Sequence, residues 1–376
     1  MKPKRPPQPP DFAAEISKTG FVLENTIAQE LKSAGWTVIS NRYYLDDVGE
    51  ETPREIDLIA YRVGKLSDFQ VYTVLIISCK KSADFAWALL ARPIDLKDPN
   101  ADWWPLHAWS NNKPIKYHFE RPGIGRQYHD GISALGVTDA LKLPSVEVFA
   151  FQEMDRRTGA PKNQTNIFQS LISLMKAQSY ELNSLPLRRK QPAVYQFNLL
   201  TVVDADLIRL HFENNKVTEQ PITSEHYIAR YIVRKSTTVS RIRFVQANHL
   251  ASCLPDYERL HDANCDWLTS QLQAFYWNIT TDWDRLNVLK EDFQRRCAYA
   301  IRWRLADEFN EEVNWKDIEV EARPFTGKPA VIVPASPDAL KWLNEDHDAR
   351  AAAAKGLREI YRYHGEFFFD NSELPF

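Results

Sequence analysis

The stretches REIDLIAYR (54–62) and VYTVLIISCK (71–80) decide the fold. Each is an apolar run rich in β-branched residues, and the polar segment 64–68 between them begins with a glycine. Each therefore reads as a β-strand, joined to the other by a turn. Side chains alternate across a strand with period two. Glu55, Asp57 and Ile59 share one face of the first strand, and Ser78 and Lys80 share one face of the second. If the strands are neighbours, Asp57 and Lys80 converge at one end of a sheet.

Upstream, residues 17–35 place Leu23, Ile27, Leu31 and Ala34 at spacings of three and four, the signature of an amphipathic helix. Gly35 is a plausible stop. WTVISNRYYL (36–45) reads as a strand, and 46–53 as a polar turn. Downstream, residues 82–122 carry Trp87, Trp103, Trp104 and Trp109 among Pro and Asn, and read as an inserted loop with short helices. A helix is expected over 125–137, a strand over 145–153 and a helix over 166–182. AVYQFNLLTVVDADLIRLHF (193–212) reads as a hairpin turning at Asp204-Ala205-Asp206. Strands follow at 227–235 and 240–247. Residues 248–310 read as mostly helical, and a strand pair around 317–333 and a helix near 337–363 come last. The expected division is a disordered basic arm (1–11), an α/β domain (12–265) containing the Trp-rich insertion, and a mostly helical α+β region (266–376).

The 376 residues are 44% hydrophobic and 26% charged, a globular composition long enough for more than one domain. The formal net charge of −3 excludes a chain that binds nucleic acid through its overall charge, so any such contact needs a local patch. The four cysteines, Cys79, Cys253, Cys265 and Cys297, form no CxxC pair, and Cys253, His261 and Cys265 match no zinc spacing. They read as buried thiols in a reducing compartment. The first ten residues (MKPKRPPQPP) lack the apolar core of a secretory signal. No apolar run approaches the ~18 residues of a membrane span. A cytoplasmic protein without a membrane partner is expected.

An acid and an ammonium at adjacent strand ends suit phosphodiester hydrolysis. The reaction needs an activated water and shielding of charge on phosphorus, and a carboxylate-held Mg²⁺ supplies both. Asp57 reads as the metal ligand and Lys80 as the residue that orients water or stabilises charge.

At this point the sequence resembles the PD-(D/E)XK, or restriction-endonuclease-like, nucleases. These carry an Asp on one strand and a (Glu/Asp)-x-Lys on the next, often after a helix with a Glu. The corresponding residues here are Glu24, then Asp57 in Arg54-Glu55-Ile56-Asp57, then Ser78-Cys79-Lys80, in the order helix, strand, strand, strand. The resemblance implies a restriction-endonuclease-like α/β core, a mixed sheet flanked by helices. It also implies Mg²⁺ or Mn²⁺ as cofactor and DNA as substrate, with RNA left open. The setting implied is restriction or phage defence, and restriction-type members often act as homodimers. One departure is Ser78, which stands where the family has an acid. Glu24 and then Glu55 are the expected replacements as metal ligands, ahead of Asp84 or Asp95. Gln127 resembles a helix Gln near the scissile phosphate in some members. The alternative is a nuclease fold that has lost catalysis through Ser78 and only binds nucleic acid, or an interaction scaffold.

Basic clusters supply candidate phosphate contacts: Arg188, Arg189 and Lys190 in one, Arg234, Lys235, Arg241 and Arg243 with Arg230 in another. Trp103 and Trp104 read as core of the insertion or as base-stacking residues. The acidic tail 367–376 ends in Pro-Phe and is a candidate docking segment for a protein partner.

Overall fold

Continuous apolar runs mark strands covered on both faces. Two such runs form the middle of the main sheet. A computed structural model describes residues 11–46, 52–98, 101–323 and 326–371. The chain divides into two compact units, Met1–Asn111 with Pro122–Trp267, and Asn112–Arg121 with Leu268–Phe376. The proposed arm lies outside the described residues except at residue 11.

In the first unit, α1 (Phe12–Ile16) and α2 (Gly20–Ser33) precede β1 (Thr37–Asp46), β2 (Thr52–Lys65) and β3 (Gln70–Lys81). Next come β4 (Phe85–Arg92) and β5 (Ala108–Ser110), then α3 (Lys113–Phe119), which belongs to the second unit. The first unit resumes with α4 (Ile124–Ala134), β6 (Glu147–Asp155), α5 (Thr165–Arg188) and β7 (Ala193–Asp204). It continues through β8 (Leu207–Glu213), β9 (Lys216–Ile222), β10 (Ser224–Val233) and β11 (Ser236–Gln246) into α6 (Leu250–Tyr276).

The main sheet has the order β1-β2-β3-β7-β11-β10, with β5 also on β7. β1, β2 and β3 form an antiparallel meander, and β3 and β11 run parallel to β7. Helices α2 and α5 pack on β3. That explains why β3 is buried from Val71 to Cys79 and β7 from Ala193 to Val203. The architecture is mixed α/β, a mixed sheet flanked by helices. Helix α2 buries Leu23, Ile27, Ala28 and Leu31. It ends where Gly35 adopts φ +79° and the Trp36 amide donates to the Leu31 carbonyl at 3.0 Å, a left-handed cap that favours glycine.

Two expectations differ from the fold. Residues 193–212 are not a hairpin: β7 sits in the main sheet, whereas β8 pairs with β4 and β9 in a second sheet ordered β6-β4-β8-β9. Asp204-Ala205-Asp206 is a crossing between sheets. There the Trp87 amide donates to the Asp206 carbonyl at 2.8 Å. Residues 82–122 are also not simply a loop, because they begin with β4, a core strand in which Trp87 is fully buried.

The second unit joins α3 to α7 (Trp283–Phe309), β12 (Glu319–Glu321), β13 (Ala330–Ile332), α8 (Pro337–Glu345), α9 (His347–Tyr361) and β14 (Phe368–Asp370). Its core includes Phe275, Phe293, Ile301, Leu305 and Tyr361. The proposed docking tail is structured at its start: β14 pairs with β13, and Phe367 and Phe369 are buried. Residues 372–376 lie outside the described set. No described helix is long and apolar enough to cross a membrane.

Candidate active site

The β2–β3 ladder runs from Lys65↔Gln70 to Leu58↔Ile77 and stops there, while β3 stays paired with β7 as far as Lys81↔Asp204. Beyond Leu58 the Cys79 amide has no strand partner on the β2 side. A buried amide without an acceptor is costly. The Asp57 carboxylate takes that role: its Oδ2 accepts from the Cys79 amide at 2.7 Å. The same oxygen accepts from Ser78 Oγ at 3.2 Å and from Lys80 Nζ at 3.5 Å. Period two on β3 explains why Ser78 and Lys80 reach one carboxylate from either side of the Cys79 amide. No described residue donates a hydrogen bond to Asp57 Oδ1.

Glu24 enters from α2. Its carboxyl titrates above the ordinary glutamate range, chiefly through burial and then through the negative charge of Asp57. Lys80 opposes that shift and Glu55 adds to it. Three acids and one ammonium therefore share one electrostatic neighbourhood. Burial, with Asp57 and Glu24 nearby, holds the Cys79 thiol well above its usual range, so it stays protonated and is no nucleophile. The Tyr44 phenol is pushed up to about 12 by burial, with the charges of Asp46 and Asp57 adding and Arg54 opposing. A crevice at Asp57 is lined by Tyr44, Glu55, Ser78, Ser173 and Leu174. Sequence reasoning missed Tyr44 and Ser173, since neither carries a motif and their elements meet only in the fold.

The donor set suits a hard divalent cation. Mg²⁺ is commonly held by one or two carboxylates with the rest of its shell left to water and substrate phosphate. Asp57 Oδ1 and the Glu24 carboxylate are donors of that kind. Among the described residues no group of three or more His, Cys, Asp or Glu side chains is already gathered as a metal cage. Ser78 is buried and turned to Asp57, which makes it a support for that carboxylate.

The other candidates lie elsewhere. Gln127 is exposed on α4. Its neighbour Tyr128 bonds Asn264, which bonds Thr73 Oγ1 at 2.9 Å. Thr73 lies seven residues before Lys80, about 23 Å along β3. Asp84 is exposed before β4, and Asp95 caps the Lys97 amide. His261 bonds Thr73 Oγ1 at 3.0 Å, and Cys253 is buried.

Arg241 and Arg243 require correction as surface phosphate contacts. Arg243 is 8% exposed and pairs with Asp256 at 3.0 Å, and Arg241 donates to the carbonyls of Trp103 and Lys142. Arg234 and Lys235 have φ of 51° and 63° in the exposed turn between β10 and β11. Arg188 pairs with Glu181, Arg189 lies over the Tyr72 and Tyr195 rings, and Lys190 is exposed. Trp103 is buried, while Arg126 covers the partly exposed Trp104 ring. Comparison with known proteins gives no match: no family model fits the sequence, and no curated protein or solved structure is significantly similar.

Proposed function

We propose that the chain is a Mg²⁺- or Mn²⁺-dependent nuclease with a restriction-endonuclease-like core, hydrolysing DNA phosphodiester bonds. The observation that carries this is the asymmetry of Asp57: three donors hold Oδ2 and no described residue donates to Oδ1. A carboxylate fixed by one oxygen presents the other in a defined direction. Asp57 Oδ1 and Glu24 are the residues that would hold the cation, with Glu55 beside them. When bound, the cation lowers the pKa of water and shields phosphate charge. Lys80 is the chain's own contribution. Its ammonium is anchored at Asp57 and about one-third exposed, so it can orient a water and neutralise a phosphate oxygen. Ser78 and the Cys79 amide keep Asp57 from rotating. The order α2, β1, β2, β3, with Glu24, Asp57 and Lys80 in sequence, also favours this reading. Action within the cytoplasm, in restriction or phage defence, belongs to the same proposal.

The test is cleavage of supercoiled plasmid and of single-stranded DNA, with Mg²⁺, with Mn²⁺ and with EDTA. The wild type should cut only with metal, and Asp57→Ala and Lys80→Ala should each lose cutting. Absence of cutting by the wild type, or persistence in both variants, would overturn the reading.

Burial of Ser78 where an acid is expected favours one second reading, a nuclease fold that binds DNA without turnover. It requires salt-sensitive DNA binding by an inactive wild type, and metal-dependent cutting gained by Ser78→Glu.

A further inference from the structure

The C-terminal end of α5 and the sheet beneath it enclose a pocket that the hydrolytic site does not use. Its volume is about 120 Å³. The floor follows from strand register. Tyr61 faces Val74 across β2 and β3, and Tyr72 faces Tyr195 across β3 and β7. Cross-strand neighbours point to one face, so three tyrosines gather beneath α5. The Tyr72 and Tyr195 rings stack at 4.3 Å with 2° between planes, and Tyr61 leans on Tyr72 at 6.0 Å.

The wall is cationic. Arg42 and Arg188 share one carboxylate, Glu181, at 3.0 and 2.5 Å. Arg189 makes no ion pair with any described residue, and its guanidinium lies 4.8 Å from the Tyr72 ring centre and 5.2 Å from that of Tyr195. Three guanidiniums thus face a single acid, and two of them, Arg188 and Arg189, are exposed at the rim. Arginine forks suit phosphate oxygens. Inside, Tyr195 is 6% exposed, so its ring is a fixed part of the floor.

We infer that this pocket binds a nucleotide, its base among the tyrosines and its phosphate on Arg188 and Arg189. The excess positive charge selects an anion, and the aromatic floor selects a flat ring attached to it. A lone phosphate would leave the aromatic floor unused. The nucleotide is either free or the end of a DNA strand, and both present the same base and phosphate. The site needs no phosphodiester chemistry, and it stands whether or not Asp57 supports cleavage.

The experiment is calorimetric titration of the full wild-type chain, in EDTA, with dAMP, adenosine, inorganic phosphate and a 5′-phosphorylated hexadeoxyadenylate. Saturable binding of dAMP or of the hexamer is expected, with adenosine and phosphate each much weaker. Tighter hexamer binding assigns the pocket to a strand end, and tighter dAMP binding assigns it to a free nucleotide. Adding Arg189→Ala should weaken binding about tenfold or more, the scale of one charged hydrogen bond. Three results would each overturn the inference: no saturable binding of either nucleotide probe, phosphate competing as well as dAMP, or unchanged affinity in a folded Arg189→Ala protein.

Discussion

At Asp57 three donors share one carboxylate oxygen, so a substitution that keeps the shape and removes the charge separates scaffold from chemistry. Asp57→Asn can still accept from the Cys79 amide. It should fold, as judged by circular dichroism, yet lose metal-dependent cleavage by about 10²-fold or more. Glu24 allows a pH test. Its carboxyl is raised in the folded state by burial and by Asp57. The folded chain therefore holds that proton more tightly than the unfolded chain does. The stabilisation from protonation is present below the ordinary Glu value and is lost as pH rises through the raised value. Glu24→Gln should then melt higher than wild type at pH 7, with the gap closing below about pH 4. Mg²⁺ should raise the wild-type melting temperature and leave that of the Gln variant nearly unchanged. Much of this site was legible, because period two within each strand and the pairing of two strands joined by a short turn together link Asp57 with Ser78 and Lys80. What was not legible was which basic residues stay at the surface. Arg241 and Arg243 alternate on an exposed-looking strand, but their partners, the Trp103 carbonyl and Asp256, are remote or loop-borne and carry no local signal.

Among the elements, helices and meander strands follow their sequence patterns, since both depend on local periodicity. Pairing beyond nearest neighbours does not. β7 and β8 are apolar runs separated by a short polar turn, which is also how a hairpin is written, and only the partners β3 and β4 distinguish the two. β4 was obscured by the Trp, Pro and Asn that follow it. Its standing as a core strand has a measurable consequence. Trp87 is fully buried, so Trp87→Ala should cost about 3–5 kcal/mol, read from a lowered urea midpoint. A tryptophan on a surface loop would cost under about 0.5 kcal/mol.

Among the described residues, one apolar cluster lies around β3, β7 and α5 in the first unit and another around α7 and α9 in the second. Two compact units, each with apolar packing of its own, predict calorimetric unfolding in two transitions rather than one. Gly356 identifies which is which. A Cβ there would lie 2.9 Å from Phe293 Cε2 and 3.1 Å from Cys297 Sγ, so α9 approaches α7 closely because this residue is glycine. Gly356→Leu should overpack that contact by about 1–3 kcal/mol. The transition of the second unit should fall by several degrees while the other stays in place.

The excursion of residues 112–121 changes what counts as a cut point. Tyr117 packs edge-on to Phe275, and Lys113 pairs with Asp292 at 2.7 Å, so α3 is a working part of the second unit although the chain returns to the first afterwards. A gene fragment stopping at Trp267 would strand that helix with its apolar face bare, and one starting at Leu268 would lack it. Neither half is a ready cassette. Recombination that moves the second unit between proteins must carry two pieces at once.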